Sequence, residues 1–176
     1  MKLIAFLSVW LTCAAATAAD MWTVGPAPSD DPGMLAATID NDAGARLYVW
    51  SRRDAERFQV FIELHPGKEH MFGSEMPRYR IDNGEEIDTE QIRQDGERVN
   101  ALWGYVAPTA TSWLIWTSIL DEVLPGDRLY DWFTGSEVAI SWRAPDGTSQ
   151  ETRFTLAGAR AAILEATGVK SQDAVN

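Results

Sequence analysis

Arg57-Phe58-Gln59-Val60-Phe61-Ile62-Glu63-Leu64 is the stretch on which the fold turns. In an extended chain Phe58, Val60, Ile62 and Leu64 fall on one face, and Gln59, Phe61 and Glu63 on the other. A period of two, carried by aromatic and β-branched side chains, predicts a strand with one face in a core. His65-Pro66-Gly67-Lys68 ends it, because Pro and Gly punctuate strands. Just upstream, Arg46 to Arg52 alternates Leu47, Val49 and Ser51 with Tyr48 and Trp50, a second strand with apolar material on both faces. Asp54-Ala55-Glu56 reads as the turn between the two. Asn41-Asp42-Ala43-Gly44 reads as an earlier turn, after a strand over Met34 to Ile39. Asn41 to Leu64 is therefore predicted to be an antiparallel hairpin in a half-buried sheet.

Working outward toward the C-terminus, Arg78 to Asp82 is a short strand, and Asp82-Asn83-Gly84 is a strong turn signal because Asn-Gly tolerates positive φ. Glu86 to Arg93 returns as its partner. Gln94-Asp95-Gly96 is another turn, and Val99 to Val106 a further strand. Over Thr109 to Leu124, Trp113, Trp116, Leu120, Val123 and Leu124 recur at helical spacing, which predicts a helix stopped by Pro125-Gly126-Asp127. A strand through Ser112 to Thr117 competes, since Trp and Ile also favour sheets. Arg128 to Thr134 and Glu137 to Arg143 read as two more strands, with Ala144-Pro145-Asp146-Gly147 as the turn into Gln150 to Thr155. Ala157 to Ala166 is alanine-rich and predicted helical, with Gly168 as its stop. The fold class expected is mainly β: an antiparallel β-sandwich with one or two short helices.

The first residues follow a different rule. Met1-Lys2 gives a positive start, Leu3 to Thr12 is almost unbroken apolar, and Ala14-Ala15-Ala16-Thr17-Ala18-Ala19 precedes the first acid, Asp20. That order is the secretory leader pattern, with cleavage expected after Ala18 or Ala19. The apolar run is shorter than the roughly 20 residues a bilayer span needs. The expected organisation is a signal peptide over 1–19, an irregular Pro- and Gly-rich lead-in over 20–33, one β-sandwich domain over 34–170 and a flexible tail over 171–176. The lone cysteine, Cys13, lies inside the leader. Trp10-Leu11-Thr12 before it fits a lipidation signal poorly. A chain cleaved after the alanines contains no thiol, which removes disulfides, Cys-ligated zinc and thiol catalysis. The address expected is periplasmic or secreted, with no transmembrane segment in the mature chain.

The 176 residues carry a formal net charge of −11, and 45% are hydrophobic. An acidic surface repels nucleic acid and anionic lipid, so neither is an expected partner. The two histidines, His65 and His70, lie near Met71 and Met76. Two imidazoles and two thioethers form a soft donor set that suits copper outside the cytoplasm. This is the alternative functional reading: a periplasmic copper-binding protein using a His/Met loop. Zinc held by His65, His70 and Glu69 or Glu75 is a weaker variant. Carboxylate pairs for hydrolysis, Asp82 with Glu85 or Asp127 with Asp131, sit in turn-like contexts, and sequence spacing sets no distance between them. No Gly-x-Ser-x-Gly elbow or phosphate loop is present. No catalytic residue, cofactor site or metal site is therefore assigned, and the chain is not expected to be an enzyme. Trp22, Trp50, Trp103, Trp113, Trp116, Trp132 and Trp142 follow the leader. They fit core packing, or a binding face where they cluster on a surface.

Tyr79-Arg80-Ile81-Asp82-Asn83-Gly84 resembles the strand and turn "R-x-D-x-G" of two groups of exported bacterial proteins, the invasion-associated locus B family and the type VI secretion-associated periplasmic proteins. The likeness continues through the apolar segment Trp113 to Leu124 and Gly126-Asp127-Arg128-Leu129. It ends on Phe154-Thr155-Leu156-Ala157-Gly158-Ala159-Arg160-Ala161-Ala162-Ile163, similar to "F-x-L-x-G-x-x-x-A-I". About half the chain is covered, and the motifs are structural ones. Members commonly carry disulfide cysteines, which this mature chain lacks. The resemblance implies a β-sandwich and a host- or envelope-facing accessory role, and it brings no catalytic residues. The functional expectation is a non-enzymatic binding or accessory protein of the bacterial envelope, acting on an envelope or secreted protein partner.

Overall fold

The strand around Val60 is the centre from which the architecture builds. A computed structural model describes residues 21–53, 57–67, 72–73, 75–88, 104–107, 110–119 and 127–169. The strands are β1 (Thr23–Pro26), β2 (Leu35–Asp40), β3 (Arg46–Arg53), β4 (Arg57–His65), β5 (Arg78–Ile81), β6 (Ile87–Asp88), β7 (Gly104–Ala107), β8 (Ala110–Ile119), β9 (Glu137–Arg143) and β10 (Ser149–Thr155). The helices are α1 (Asp127–Thr134), between β8 and β9, and α2 (Ala159–Thr167), after β10. The strands form a six-stranded sheet in the order β1-β2-β3-β4-β8-β7 and a four-stranded sheet in the order β10-β9-β5-β6. Every described pairing is antiparallel. The molecule is mainly β, a sandwich of two antiparallel sheets with two short helices, as its alternation implied.

Register explains what each face holds. Leu47 pairs with Leu64, Val49 with Ile62 and Ser51 with Val60. Ile39 pairs with Leu47, and Ala37 with Val49. These residues line the inner face, and the apolar ones share one buried cluster with Tyr79, Val138, Ile140, Trp142 and Phe154 of the smaller sheet. Burial of this apolar area is the main source of stability. α2 packs against β1, β2 and β3, and α1 against β8 and α2. Two side chains tie the larger sheet to β10, the edge strand of the smaller one. Asn41 Nδ2 donates to Thr152 Oγ1 (2.6 Å) and to the Arg153 carbonyl (2.9 Å), and Trp22 Nε1 donates to the Thr155 carbonyl (2.8 Å). These donors satisfy edge carbonyls that would otherwise invite a foreign strand.

Three expectations are corrected. The segment Thr109 to Leu124 forms strand β8 over Ala110–Ile119, not a helix. The register of β8 against β4 shifts at a bulge between Val60 and Phe61, so Trp113 stands opposite Ile62 and Trp116 opposite Val60. Ile62 and Val60 share a face of β4, so a spacing of three arises from one extra bulged residue and imitates a helical turn. Conversely, Arg128 to Thr134 is helix α1 and not a strand. Leu129 and Trp132 are fully buried, with Tyr130 and Asp131 exposed between them. That pattern is one face of a helix, whereas alternation would have put Asp131 inward with Leu129. Finally, β1 lies inside the stretch read as an irregular lead-in. Pro26 is tolerated because β1 is an edge strand, where one side of the backbone needs no partner.

The other elements follow the sequence closely. α2 begins after Gly158 and ends at Gly168, both left-handed (φ 86° and 70°), and the Gly168 N–H bonds the Leu164 carbonyl at 3.0 Å. Glycine suits both positions because it carries no Cβ. The leader over 1–19 with Cys13, the outer part of the expected Glu86–Arg93 strand, residues 99–103 and the tail over 171–176 lie outside the described residues.

Candidate functional site

The outer face of the six-stranded sheet carries the chemistry that the inner face lacks. Because Trp50 pairs with Ala36 and Phe61, and Tyr48 with Thr38 and Glu63, these residues form successive rows across the sheet. The next row joins Asp40, Arg46 and His65. Trp50 stacks on Phe61 with centroids 4.7 Å apart, and Tyr48 meets the His65 ring edge-on at 5.2 Å. Arg46 holds Asp40 through Nε and through Nη2 (2.7 Å to Oδ2). That guanidinium lowers the Asp40 carboxyl below its ordinary range, chiefly through the hydrogen bond, and is itself raised by it.

Glu63 is the unusual member. It sits on a strand in the sheet interior with its side chain only 3% exposed, while the His65 side chain is 37% exposed. Carboxylates are rarely buried so deeply unless paired. Its partner is His65, whose Nε2 lies 2.7 Å from Oε1. The pair spans the boundary from sheet interior to solvent, and the carboxylate fixes the orientation of the ring. Chemically this is an oriented imidazole at a surface, flanked by Tyr48 and an Arg46–Asp40 ion pair.

Sequence reasoning singled out His65 but not Glu63. The signal was present: an acid inside an otherwise apolar alternating strand, two residues from a histidine, so that both share a face. Met76 packs against the hydrophobic core, and His70 and Met71 lie outside the described residues. Among the described residues no group of three or more His, Cys, Asp or Glu is placed to hold a metal ion. Glu75 is exposed and salt-bridged to Arg143 at 3.7 Å. Among the described residues no helix is long and apolar enough to cross a membrane.

Of the nominated carboxylates, Asp82 is engaged by the backbone. Asp82 (φ 49°) accepts the backbone N–H groups of Ser136 (3.0 Å) and Glu137 (2.9 Å) through Oδ1. Its own N–H donates to the Glu137 carbonyl at 2.9 Å. The Asp82 side chain thereby fastens the β5 turn to the start of β9. In the C-terminal motif, Phe154, Leu156, Ala162 and Ile163 are buried and Gly158 supplies the left-handed entry to α2. The tryptophans divide: Trp132 and Trp142 are core, Trp22 bridges the sheets, Trp50 lies on the outer face and Trp103 falls outside the described residues.

No protein-family model, no curated protein and no solved structure matches the chain.

Proposed function

We propose that this chain is an exported, non-enzymatic accessory protein of the bacterial envelope that works by binding a protein partner outside the cytoplasm. The observation that carries the reading is the use made of the shared motif residues. Asp82, Gly158, Phe154, Leu156 and Ile163 all serve the scaffold. A motif that builds a scaffold supports a family of structural carriers in preference to a family of catalysts. The leader pattern over Met1 to Ala19 supports export. Acidity supports solubility and a protein partner over nucleic acid.

Fractionation of Gram-negative cells expressing the C-terminally tagged chain tests the address. A species starting at Ala19 or Asp20 in periplasm or medium is expected, and an unprocessed cytoplasmic product would refute export. A photo-crosslinker in place of Trp50 tests the binding. It should yield one saturable protein adduct in intact cells, and the same adduct from a probe at exposed Glu165 on α2, which packs on the inner face of the same sheet, would refute a specific face.

A further inference from the structure

The turn that follows β5 carries Asn83-Gly84, the one Asn-Gly step in the chain. Both residues are exposed. The turn closes through the Gly84 N–H, which donates to the Ile81 carbonyl at 2.9 Å. A Cβ on residue 84 would stand 3.0 Å from that same oxygen, so the turn favours glycine there. The glycine that the turn selects also leaves its backbone nitrogen unshielded by any side chain. That nitrogen is the atom that can close a succinimide ring onto Asn83 Cγ.

Other positions with related chemistry are held. Asn41 is bonded at both ends of its amide, Nδ2 to Thr152 Oγ1 and the Arg153 carbonyl, Oδ1 to the Ala45 N–H. In Asp146-Gly147 the Asp146 carboxylate accepts the Thr148 N–H (2.9 Å) and hydroxyl (2.7 Å) through Oδ1, which keeps it ionised and a poor electrophile. The Asn83 side chain has no hydrogen bond to a described residue. Its one restraint is the Gly84–Ile81 bond. That bond lies in an exposed turn leading to β6, which pairs with β5 at only two positions, Arg78 with Asp88 and Tyr79 with Ile87. Solvent-exposed backbone bonds with so little packed against them open locally at small cost.

We propose that Asn83 is a site of spontaneous covalent modification whose isoaspartyl product releases β6 from β5. The Gly84 nitrogen, its proton given up to hydroxide, attacks Asn83 Cγ. The Cγ–Nδ2 bond breaks, and Nδ2 takes a proton from water and leaves as ammonia. Water then opens the succinimide. Opening at Cγ gives aspartate at position 83 and leaves the backbone as it was. Opening at the former main-chain carbonyl gives isoaspartate, with the backbone routed through Cγ and lengthened by one methylene. Asp82 stays clamped to the Ser136 and Glu137 N–H groups, and β5 stays paired with β9, so the lengthening falls on the turn and β6. Either product adds a negative charge beside Asp82, Glu85 and Glu86. Loss of β6 leaves the outer edge of β5 unpaired. None of this depends on the accessory-protein reading, which would survive its failure.

The test ages the full chain in mildly alkaline buffer, folded and in urea, beside Asn83→Ser and Asn83→Asp. Peptide mass spectrometry follows each asparagine, and enzymatic isoaspartate methylation identifies the rearranged backbone. Asn83 in the folded chain should react within about thirtyfold of its rate in urea, the cost of a local opening, with isoaspartate at that position. Hydrogen exchange of the aged chain should quicken in β6 and not in β9, while aged Asn83→Ser and fresh Asn83→Asp keep the parent's exchange. An Asn83 that survives in the folded chain after it has been consumed in urea overturns the proposal. So does isoaspartate at 83 with β6 exchange unaltered. Fresh Asn83→Asp that exchanges in β6 as fast as the aged chain also overturns it, because charge and not the rerouted backbone would then be the cause.

Discussion

At the scale of single residues, two positions show how little slack the core has. Gly135 follows α1, and a Cβ there would collide with Ile81 Cγ2 and lie 3.0 Å from both the Asp131 carbonyl and Leu156 Cδ1. Two of these neighbours are branched side chains held in the core or at its edge, so they yield only by repacking. Gly135→Ala is expected to destabilise the fold by about 1–3 kcal/mol, read as a lowered urea midpoint with unchanged slope. Tyr79 tests the opposite case, a group whose removal does little harm. Its hydroxyl is buried without a partner, so Tyr79→Phe should leave stability at neutral pH within about 1 kcal/mol of the parent, on either side. At high pH the two chains should part. Burial raises the folded Tyr79 above the ordinary value of 10.0. The unfolded chain therefore loses its phenolic proton first, and stability present below pH 10 is lost as the pH rises beyond it. Thermal melts between about pH 9 and 11 should show the parent falling more steeply than Tyr79→Phe. Parallel curves would mean that the hydroxyl meets solvent or an acceptor in the folded chain.

At the scale of elements, the joint between the sheets is the point to probe. Asn41 donates to Thr152 and to the Arg153 carbonyl, while its Oδ1 accepts the Ala45 N–H at 3.0 Å. One side chain thus closes the β2–β3 turn and anchors β10. Asn41→Ala should cost about 1–3 kcal/mol, because it strands the Thr152 hydroxyl and the Ala45 N–H. Hydrogen exchange should rise first in β10. A uniform rise across both sheets would argue that the two sheets unfold as one unit with no local opening. The same scale shows what was legible beforehand. β3, β4, β9 and α2 were readable from their apolar periods, and β10 from the Pro145-Asp146-Gly147 turn that precedes it. β8 and α1 were not, and each for a definable cause. In β8 a bulge converts a period of two into a spacing of three between Trp113 and Trp116. In α1 eight residues give barely two turns, too few for periodicity to outweigh the β preference of Tyr, Trp and Phe. In the outer-face cluster only His65 was flagged. Its tie to Glu63 follows from a side-chain conformation that the alternation permits but does not specify.

For the whole molecule, charge decides how the fold responds to solvent. The formal net charge of −11 is an excess of 26 acids over 15 bases across 176 residues. Several surface cations already sit against acids: Arg78 beside Glu86 and Asp88, Arg153 beside Glu137 and Glu151, and Arg46 beside Asp40. Exposed pairs of this kind contribute about 0–1 kcal/mol each, and salt weakens them. The surplus negative charge repels itself, and salt weakens that as well. Acids outnumber the bases available to pair with them, so repulsion outweighs the pairing. Sodium chloride from near zero to about 0.5 M, where the screening length has shrunk to a few ångströms, should therefore raise the melting temperature at neutral pH. Acid acts in two stages. Mild acidification removes surplus charge and should also stabilise. Below the ordinary carboxylate range the sign reverses. Asp40, lowered by its hydrogen bond to Arg46, and Asp146, lowered by those from Thr148, release protons more readily folded than unfolded. Their contribution is present above the unfolded value of 3.8 and is lost as the pH falls through the depressed folded values. Both carboxylates are solvent-accessible, so this loss is gradual. The melting temperature should pass through a maximum on the acid side of neutrality, and added salt should flatten the rise toward it. A melting temperature that falls with salt at neutral pH would show that the ion pairs outweigh the repulsion, and would reverse the expected slope on mild acidification.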